Sequence, residues 1–147
     1  MKDDKIVVTK TPLRISFLGG GTDMPYFYDK YGGATISCTI NRYIYVTVKF
    51  HNNYDEKYRL NYSITENTNK LSQIKNLRIK KVIEKMGITK PLYINTFADI
   101  PANSGLGSSS SFTVGLIKAL SKLQNKKMTK NKLAEMAYEI ESKITKN

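Results

Sequence analysis

The alternation of hydrophobic and polar residues predicts β-strands in the first half of the chain. In segment 42–50, Ile44, Val46 and Val48 alternate with aromatic or polar residues, as in a strand whose two faces differ. Shorter β-branched runs indicate further strands. The predicted strands are 5–10, 13–18, 34–40, 42–50, 57–64 and 92–97. Pro12 predicts a break between segments 5–10 and 13–18, and Asn41 predicts a turn between segments 34–40 and 42–50.

Helical spacing replaces this alternation in the second half of the chain. From Leu71 to Gly87, apolar residues recur every three or four positions and lysines occupy the opposite face. The same spacing predicts a helix over 109–123 and a last helix that Thr129 caps. A short helix earlier in the chain is predicted to begin near Pro25.

Two glycines and four serines stand between the last predicted strand and the next helix. Residues 99–112 have the sequence DIPANSGLGSSSSF. Glycine lets the backbone bend so that successive N–H groups converge on an anion, and the first turn of a helix adds unpaired N–H groups. Serine hydroxyls donate to phosphate oxygens or ligate magnesium. The segment predicts a phosphate-binding loop, which we favour over a flexible linker because Leu106 interrupts the run.

Composition and charge restrict the classes of function. The 147 residues suffice for one domain with a single core. The net charge of +12 is compatible with nucleic acid, anionic membranes or phosphorylated small molecules. The lysines are scattered, so a solvated surface is preferred and nucleic-acid binding is not favoured. The sequence has no membrane-length apolar run and no secretory signal, which favours a cytoplasmic location.

The single cysteine and the single histidine predict little chemistry of their own. Cys38 has no partner for an internal disulfide, and its strand-like surroundings predict a buried position. His51 stands in a polar loop without the spacing to other ligands that a zinc site requires.

Two motifs resemble those of a known family. Residues 11–23 (TPLRISFLGGGTD) resemble the first motif of the GHMP kinases, and residues 101–110 (PANSGLGSSS) resemble their second, ATP-phosphate motif. The order and separation of the motifs agree with that family, and the resemblance covers nearly the whole chain. The triple glycine and the later segment 30–34 (KYGGA) are most similar to the branch that acts on heptose 7-phosphate.

The resemblance implies a fold and a reaction. The fold is an α+β unit like the second domain of ribosomal protein S5, with a mixed or antiparallel sheet packed on helices. The reaction is ATP- and Mg²⁺-dependent phosphoryl transfer to a sugar or sugar phosphate, with O1 of D-glycero-D-manno-heptose 7-phosphate as the expected acceptor. Residues 1–147 would be the N-terminal, ATP-phosphate-binding domain, truncated and without the C-terminal domain. The family's catalytic aspartate is expected beyond Asn147, so we expect this segment to be inactive alone.

The resemblance also implies roles for individual residues. Arg14 would stabilise the transferring phosphoryl group or orient the catalytic aspartate, and Ser109 and Glu141 would hold the magnesium ion. A surface position is the alternative for Arg14 and Glu141, and a helix N-cap is the alternative for Asp23. The residues expected to bind the sugar are Gly20, Gly21, Thr22 and Asp23. The residues expected to bind the nucleotide are Pro101, Asn103, Ser104, Gly105, Leu106, Gly107, Ser108, Ser109 and Ser110.

Three alternatives to a heptose 7-phosphate kinase stay open at this point. Galactokinases carry Glu-His where this chain has Gly20-Gly21, which predicts room for a larger or phosphorylated sugar, but an L-fucokinase-like or galactokinase-like enzyme remains an alternative. A basic, ribosomal-protein-like module that binds RNA phosphates would leave the Gly-Leu-Gly-Ser-Ser loop unexplained. A catalytically dead regulatory homologue is the third alternative.

Overall fold

The computed structural model shows the predicted α+β fold and describes residues 5–23, 25–51, 55–101 and 104–145. Its elements in chain order are β1 (Ile6–Leu18), α1 (Pro25–Tyr31), β2 (Ile36–Phe50), β3 (Tyr58–Asn61), β4 (Thr65–Thr68), a 3-10 turn (Leu71–Gln73), α2 (Leu77–Met86), β5 (Leu92–Ala98), α3 (Ser108–Leu123) and α4 (Lys130–Thr145). Within these ranges, every helix is too short or too polar to cross a membrane.

The strands form one mixed sheet with the order β1-β2-β5-β3-β4. Neighbouring strands are antiparallel except β3 and β5, which are parallel. Helix α3 packs across β1 and β2 and contacts both α2 and α4. The core lies between the sheet and these helices, where Val46, Ile94, Leu116 and Ile117 are completely buried. This arrangement leaves the N-terminal end of α3 beside β1.

The two predicted strand interruptions are wrong. Strand β1 continues through Pro12, which is opposite Tyr43, with an irregular register before Arg14. Proline is tolerated there because β1 is an edge strand. Strand β2 also continues through Asn41: it pairs with β1 at Thr39 before this residue and at Tyr43 after it, and β5 joins it from Ile44 onwards. The predicted burial of Cys38 is also wrong, since this residue lies in the exposed first half of β2.

Helix α2 begins later than the apolar spacing predicts. The spacing starts at Leu71, but that residue opens a 3-10 turn, and the helix begins at Leu77 after an Asn76 cap. The buried carboxylate of Glu66 accepts the backbone N–H groups of Lys75 and Asn76 at 2.8 and 3.2 Å. Because the N–H groups of Lys75 and Asn76 are bonded to β4, they do not donate helical hydrogen bonds, and the helix begins after them. The helix ends at Gly87, as its apolar spacing predicts, and Gly87 adopts a left-handed conformation there.

Close packing of α3 on β1 depends on Gly115. Thr9 Oγ1 donates to the Gly115 carbonyl at 3.0 Å, and Ser111 Oγ donates to the Pro12 carbonyl at 3.0 Å. A Cβ at Gly115 would lie 2.7 Å from Thr11 Oγ1, so a larger residue would push the helix away. The start of α3 is therefore held against the strand that carries Arg14.

Candidate functional site

The Gly/Ser loop bends through two left-handed glycines directly before α3. Gly105 has φ 73° and Gly107 has φ 70°, a conformation that glycine adopts without the steric cost of a side chain. Gly107 is also the N-cap of α3, and it has no side chain to bond the N–H groups of the first turn. Those N–H groups and the helix dipole favour an anion at this end of α3.

Arg14 lies against this loop. Its backbone N–H donates to the Leu106 carbonyl at 3.1 Å. A Cβ at Gly107 would stand 3.2 Å from Arg14 Cγ and 3.3 Å from Nε, so the arginine side chain runs along the bare backbone of the loop. Its guanidinium also donates to Ser16 Oγ. The strand and the loop together hold an exposed cation beside the α3 N-terminus.

A cleft of about 370 Å³ opens beside the first turn of α3, and we call it the α3 cleft. It lies within the size range of small-molecule sites. Its lining residues are Ile44, Tyr62, Ser63, Asn76, Arg78, Thr96, Phe97, Ala98, Ile100, Ser108, Ser109 and Phe112. A larger cavity of about 640 Å³ lies around β4 and contains none of the predicted site residues.

The structure brings Glu141 to Ser109 through Thr113. The Thr113 hydroxyl is buried within hydrogen-bond distance of the Ser109 carbonyl and of Glu141 Oε1. Its single proton serves one of these acceptors at a time. Arg78 donates to Glu141 through Nε at 2.9 Å and Nη2 at 3.2 Å. Glu141 is only 18% exposed, so the alternative of a solvated helix residue is wrong.

The donor set around Ser109 and Glu141 fits Mg²⁺, which prefers oxygen ligands. One hydroxyl and one carboxylate are supplied by adjacent helices. In the described ranges no three His, Cys, Asp or Glu side chains come together. A magnesium ion at this place would therefore need phosphate oxygens and water to complete its coordination, as is usual for nucleotide-bound magnesium.

A second cavity, of about 360 Å³, brings Thr22 and Asp23 together, and we call it the Asp23 cavity. Its other lining residues are Tyr28, Gly32, Gly33, Ala34 and Thr35. The Thr22 hydroxyl accepts the Ala34 N–H at 3.2 Å, and Asp23 Oδ1 accepts the Gly21 N–H at 3.2 Å. The first bond joins the glycine loop to the segment after α1, and the second lies within the glycine loop.

The triple glycine has two different structural roles. A Cβ at Gly19 would stand 1.8 Å from the Ala34 carbonyl oxygen, so this position allows the two loops to touch. A Cβ at Gly20 or Gly21 would meet nothing within 4 Å, so both positions adjoin open space. Neither of these two glycines lines the Asp23 cavity itself.

Several residues that shape these sites give no signal in the sequence. Tyr28 on α1 and Tyr138 on α4 join their hydroxyls at 2.7 Å, and this hydrogen bond raises the pKa of Tyr28 to about 12. Arg78 and Thr113 reach Glu141 from helices far away in sequence. Such pairs follow no local spacing rule, so only the folded chain reveals them.

The remaining predicted nucleotide-binding residues that the structure describes are exposed or half-buried positions in the loop or in the first turn of α3. Pro101, Ser104 and Ser110 are exposed, whereas Leu106 and Ser108 are half-buried. Asn103 lies outside the described residues. The fold thus brings the predicted loop into contact with Arg14. It also brings Glu141 near the first turn of α3, where Thr113 lies between Glu141 and the Ser109 backbone.

Family, sequence and structure comparisons with known proteins all find sugar kinases or their family. Residues 74–147 match the family described as GHMP kinases N terminal domain. The D-glycero-alpha-D-manno-heptose 7-phosphate kinase of Campylobacter jejuni is 36% identical over 149 residues, which cover 93% of this chain and 43% of that protein. The solved structure of a D-glycero-D-manno-heptose 1-phosphate kinase from Bacteroides thetaiotaomicron has a TM-score of 0.79 at 30% identity and covers 97% of this chain and 49% of that one.

A mevalonate kinase structure from Methanococcus jannaschii has a TM-score of 0.75 at 26% identity, covering 97% of this chain and 48% of that one. This chain spans about half the length of the relatives it matches. The matched domain, the shared fold and the identity over nearly all of its residues show that the chain belongs to the GHMP kinase family.

Proposed function

We propose that residues 1–147 form the nucleotide-binding N-terminal domain of an ATP- and Mg²⁺-dependent sugar kinase. The expected acceptor is O1 of D-glycero-D-manno-heptose 7-phosphate. The observation that supports this most is the left-handed Gly105–Gly107 bend, which opens onto the α3 N-terminus and against which Arg14 lies. Because ATP would be the phosphoryl donor, the proposed compartment is the cytoplasm.

In this proposal the nucleotide occupies the α3 cleft and its phosphates meet the Gly/Ser loop. Backbone N–H groups around Gly105, Gly107, Ser108 and Ser109 would donate to the β- and γ-phosphates. The other contacts of the loop would come from Pro101, Asn103, Ser104, Leu106 and Ser110. The apolar residues of the α3 cleft offer a surface for the base.

Ser109 and Glu141 would hold the magnesium ion. When bound, the ion would neutralise negative charge on the phosphate oxygens. Thr113 would orient the Glu141 carboxylate, because its hydroxyl lies between that carboxylate and the Ser109 backbone.

Arg14 would act on the transferring phosphoryl group. Phosphoryl transfer depends mainly on positioning and on charge stabilisation, and a guanidinium provides fixed donors for both. The proton of the sugar hydroxyl would go to an aspartate from outside this sequence, so we expect the chain alone to bind nucleotide without catalysing transfer.

The sugar would bind in the Asp23 cavity, where Asp23 and Thr22 offer acceptors to its hydroxyls. Gly20 and Gly21 lie outside the lining of this cavity but directly precede Thr22 in the chain and adjoin open space, so a substrate larger than galactose that extends beyond the cavity would meet no side chain at these two positions. The relatives named for heptose phosphates support the same substrate class.

A substrate-specificity assay on the full-length protein tests the proposal. Heptose 7-phosphate, galactose, L-fucose and mevalonate are offered singly with ATP and Mg²⁺, and ³¹P NMR locates the new phosphate. We expect transfer to O1 of heptose 7-phosphate with the highest kcat/KM, and loss of transfer in Gly107→Arg. A higher kcat/KM for galactose, L-fucose or mevalonate would contradict the proposed substrate. Absence of ATP binding would contradict the proposed site.

A further inference from the structure

The ion pair between Arg78 and Glu141 lies beside the proposed phosphate-binding loop. Arg78 occupies the first turn of α2 and lines the α3 cleft together with Ser108 and Ser109. Its two donors reach both carboxylate oxygens of Glu141 on α4, at 2.9 and 3.2 Å. The carboxylate that would bind the metal is therefore covered by a guanidinium in this structure.

The position of the pair explains why Glu141 needs a cation. The side chains of Arg78 and Glu141 are 32% and 18% exposed, so the carboxylate is shielded from most of the solvent. A shielded carboxylate without a positive partner is unfavourable. A two-bond Arg–carboxylate pair is also geometrically specific. A metal ion that binds Glu141 must therefore replace Arg78 or share the carboxylate with it.

Sharing is unfavourable because the metal and the guanidinium are both positive. Replacement by a free metal ion would leave Arg78 without a counter-charge in the cleft. Nucleotide phosphates would change this balance, because they would bring negative charge to the end of α3, and Arg78 already lines that cleft.

We propose that Arg78 makes metal binding at Glu141 conditional on the nucleotide: the guanidinium occupies the carboxylate until phosphate oxygens in the α3 cleft accept it. This inference rests on the proposed function, which places a metal at Glu141. It assigns Arg78 as a positioning residue whose two alternative partners are Glu141 and the phosphates.

The test measures binding without catalysis, in the full-length protein. Mn²⁺ binding is followed by EPR, once with Mn²⁺ alone and once with the non-hydrolysable ATP analogue AMP-PNP. We expect the unmodified protein to bind Mn²⁺ at least a hundredfold more tightly when AMP-PNP is present. In Arg78→Gln, Mn²⁺ alone should bind at least tenfold more tightly, and metal-free AMP-PNP at least tenfold more weakly. The cooperativity between the two ligands should fall accordingly.

Two further variants separate charge from helix packing. Lys85 and Glu139 form a second ion pair between α2 and α4, and neither lines the α3 cleft. Lys85→Gln should therefore leave Mn²⁺ binding and its cooperativity unchanged. Arg78→Lys keeps the positive charge, so Mn²⁺ alone should still bind weakly to it. If Arg78→Gln proves unfolded by circular dichroism, tight binding of Mn²⁺ alone to Arg78→Lys would overturn the proposal.

The outcomes distinguish this inference from the proposed function. If Glu141→Gln leaves binding of Mn²⁺ with AMP-PNP unchanged, the metal assignment of the proposed function is wrong. If Glu141→Gln weakens that binding but Arg78→Gln leaves the affinity for Mn²⁺ alone unchanged, the Arg78 inference is wrong and the metal assignment stands. An equal effect of Lys85→Gln and Arg78→Gln would also overturn the inference.

Discussion

Replacing Gly115 with alanine tests how closely α3 must approach β1. A Cβ at this position would stand 2.7 Å from Thr11 Oγ1, which is closer than two such atoms can pack. The next neighbours, Thr9 Oγ1 and Val46 Cγ2, would lie at 3.4 and 3.5 Å, which are ordinary contact distances. Thr11 is therefore the neighbour that would have to move.

Two opposing effects set the magnitude. Alanine in place of a helical glycine stabilises a helix by about 1 kcal/mol. Forcing a larger group into a packed interface costs about 1–3 kcal/mol, and the stiff χ1 of a β-branched threonine limits its escape. We expect Gly115→Ala to lower the free energy of unfolding by about 1 kcal/mol. In a Thr11→Ala background the same change should raise it by about 1 kcal/mol, because only the helix effect remains.

The assay is urea unfolding of the four proteins of this double-mutant cycle, followed by circular dichroism. The expected coupling free energy is about 2 kcal/mol. Thr11→Val is the matched control, because it replaces the hydroxyl with a methyl group of similar size and should not relieve the clash. Effects that add within about 0.5 kcal/mol would refute the reasoning.

Three further predictions concern the loop and two buried ionisable groups. Gly107→Ala should destabilise the fold more than Gly105→Ala in urea unfolding, since both glycines are left-handed but only a Cβ at 107 would press on Arg14; equal losses would contradict this. Burial and Arg59 lower the pKa of His51, so stability should fall as pH drops below about 6.5, and His51→Asn should flatten that dependence. Burial opposes ionisation of Glu66, but Tyr62 and two backbone amides lower its pKa overall, so its contribution should be present above about pH 4.3 and lost in more acidic solution. Glu66→Gln should lower the free energy of unfolding by about 2 kcal/mol at pH 7 and remove the loss of stability below about pH 4.3. If the acid unfolding transition of this variant is unchanged, Glu66 does not cause that loss of stability.

The parts of the fold that follow local rules could be predicted from the sequence. Helix α3 begins and ends within one residue of its predicted bounds, because its apolar spacing is regular. Gly87 ends α2 in the left-handed conformation that glycine favours. Thr129 caps α4, where its hydroxyl accepts the Lys132 N–H at 3.3 Å. The bend of the Gly/Ser loop belongs to the same class, since its left-handed conformations at Gly105 and Gly107 need the backbone freedom that glycine supplies locally.

Other features depend on neighbours that are distant in sequence. Pro12 and Asn41 favour turns by themselves, but both lie inside continuous strands because β1 and β2 pair along almost their full length. The start of α2 depends on Glu66 in β4, which accepts the N–H groups of Lys75 and Asn76, two residues for which the apolar pattern predicts a helix.

The site shows the same division. The family resemblance points to Arg14, Ser109 and Glu141, but their surroundings depend on what the fold places beside them. Arg78 reaches Glu141 across 63 positions of the chain, and the buried Thr113 hydroxyl lies between that carboxylate and Ser109. A local backbone preference, such as the left-handed conformation that glycine allows, depends on residue type and can be inferred from the sequence. Charge pairing and burial depend on which residues meet, so they exist only once the helices have packed.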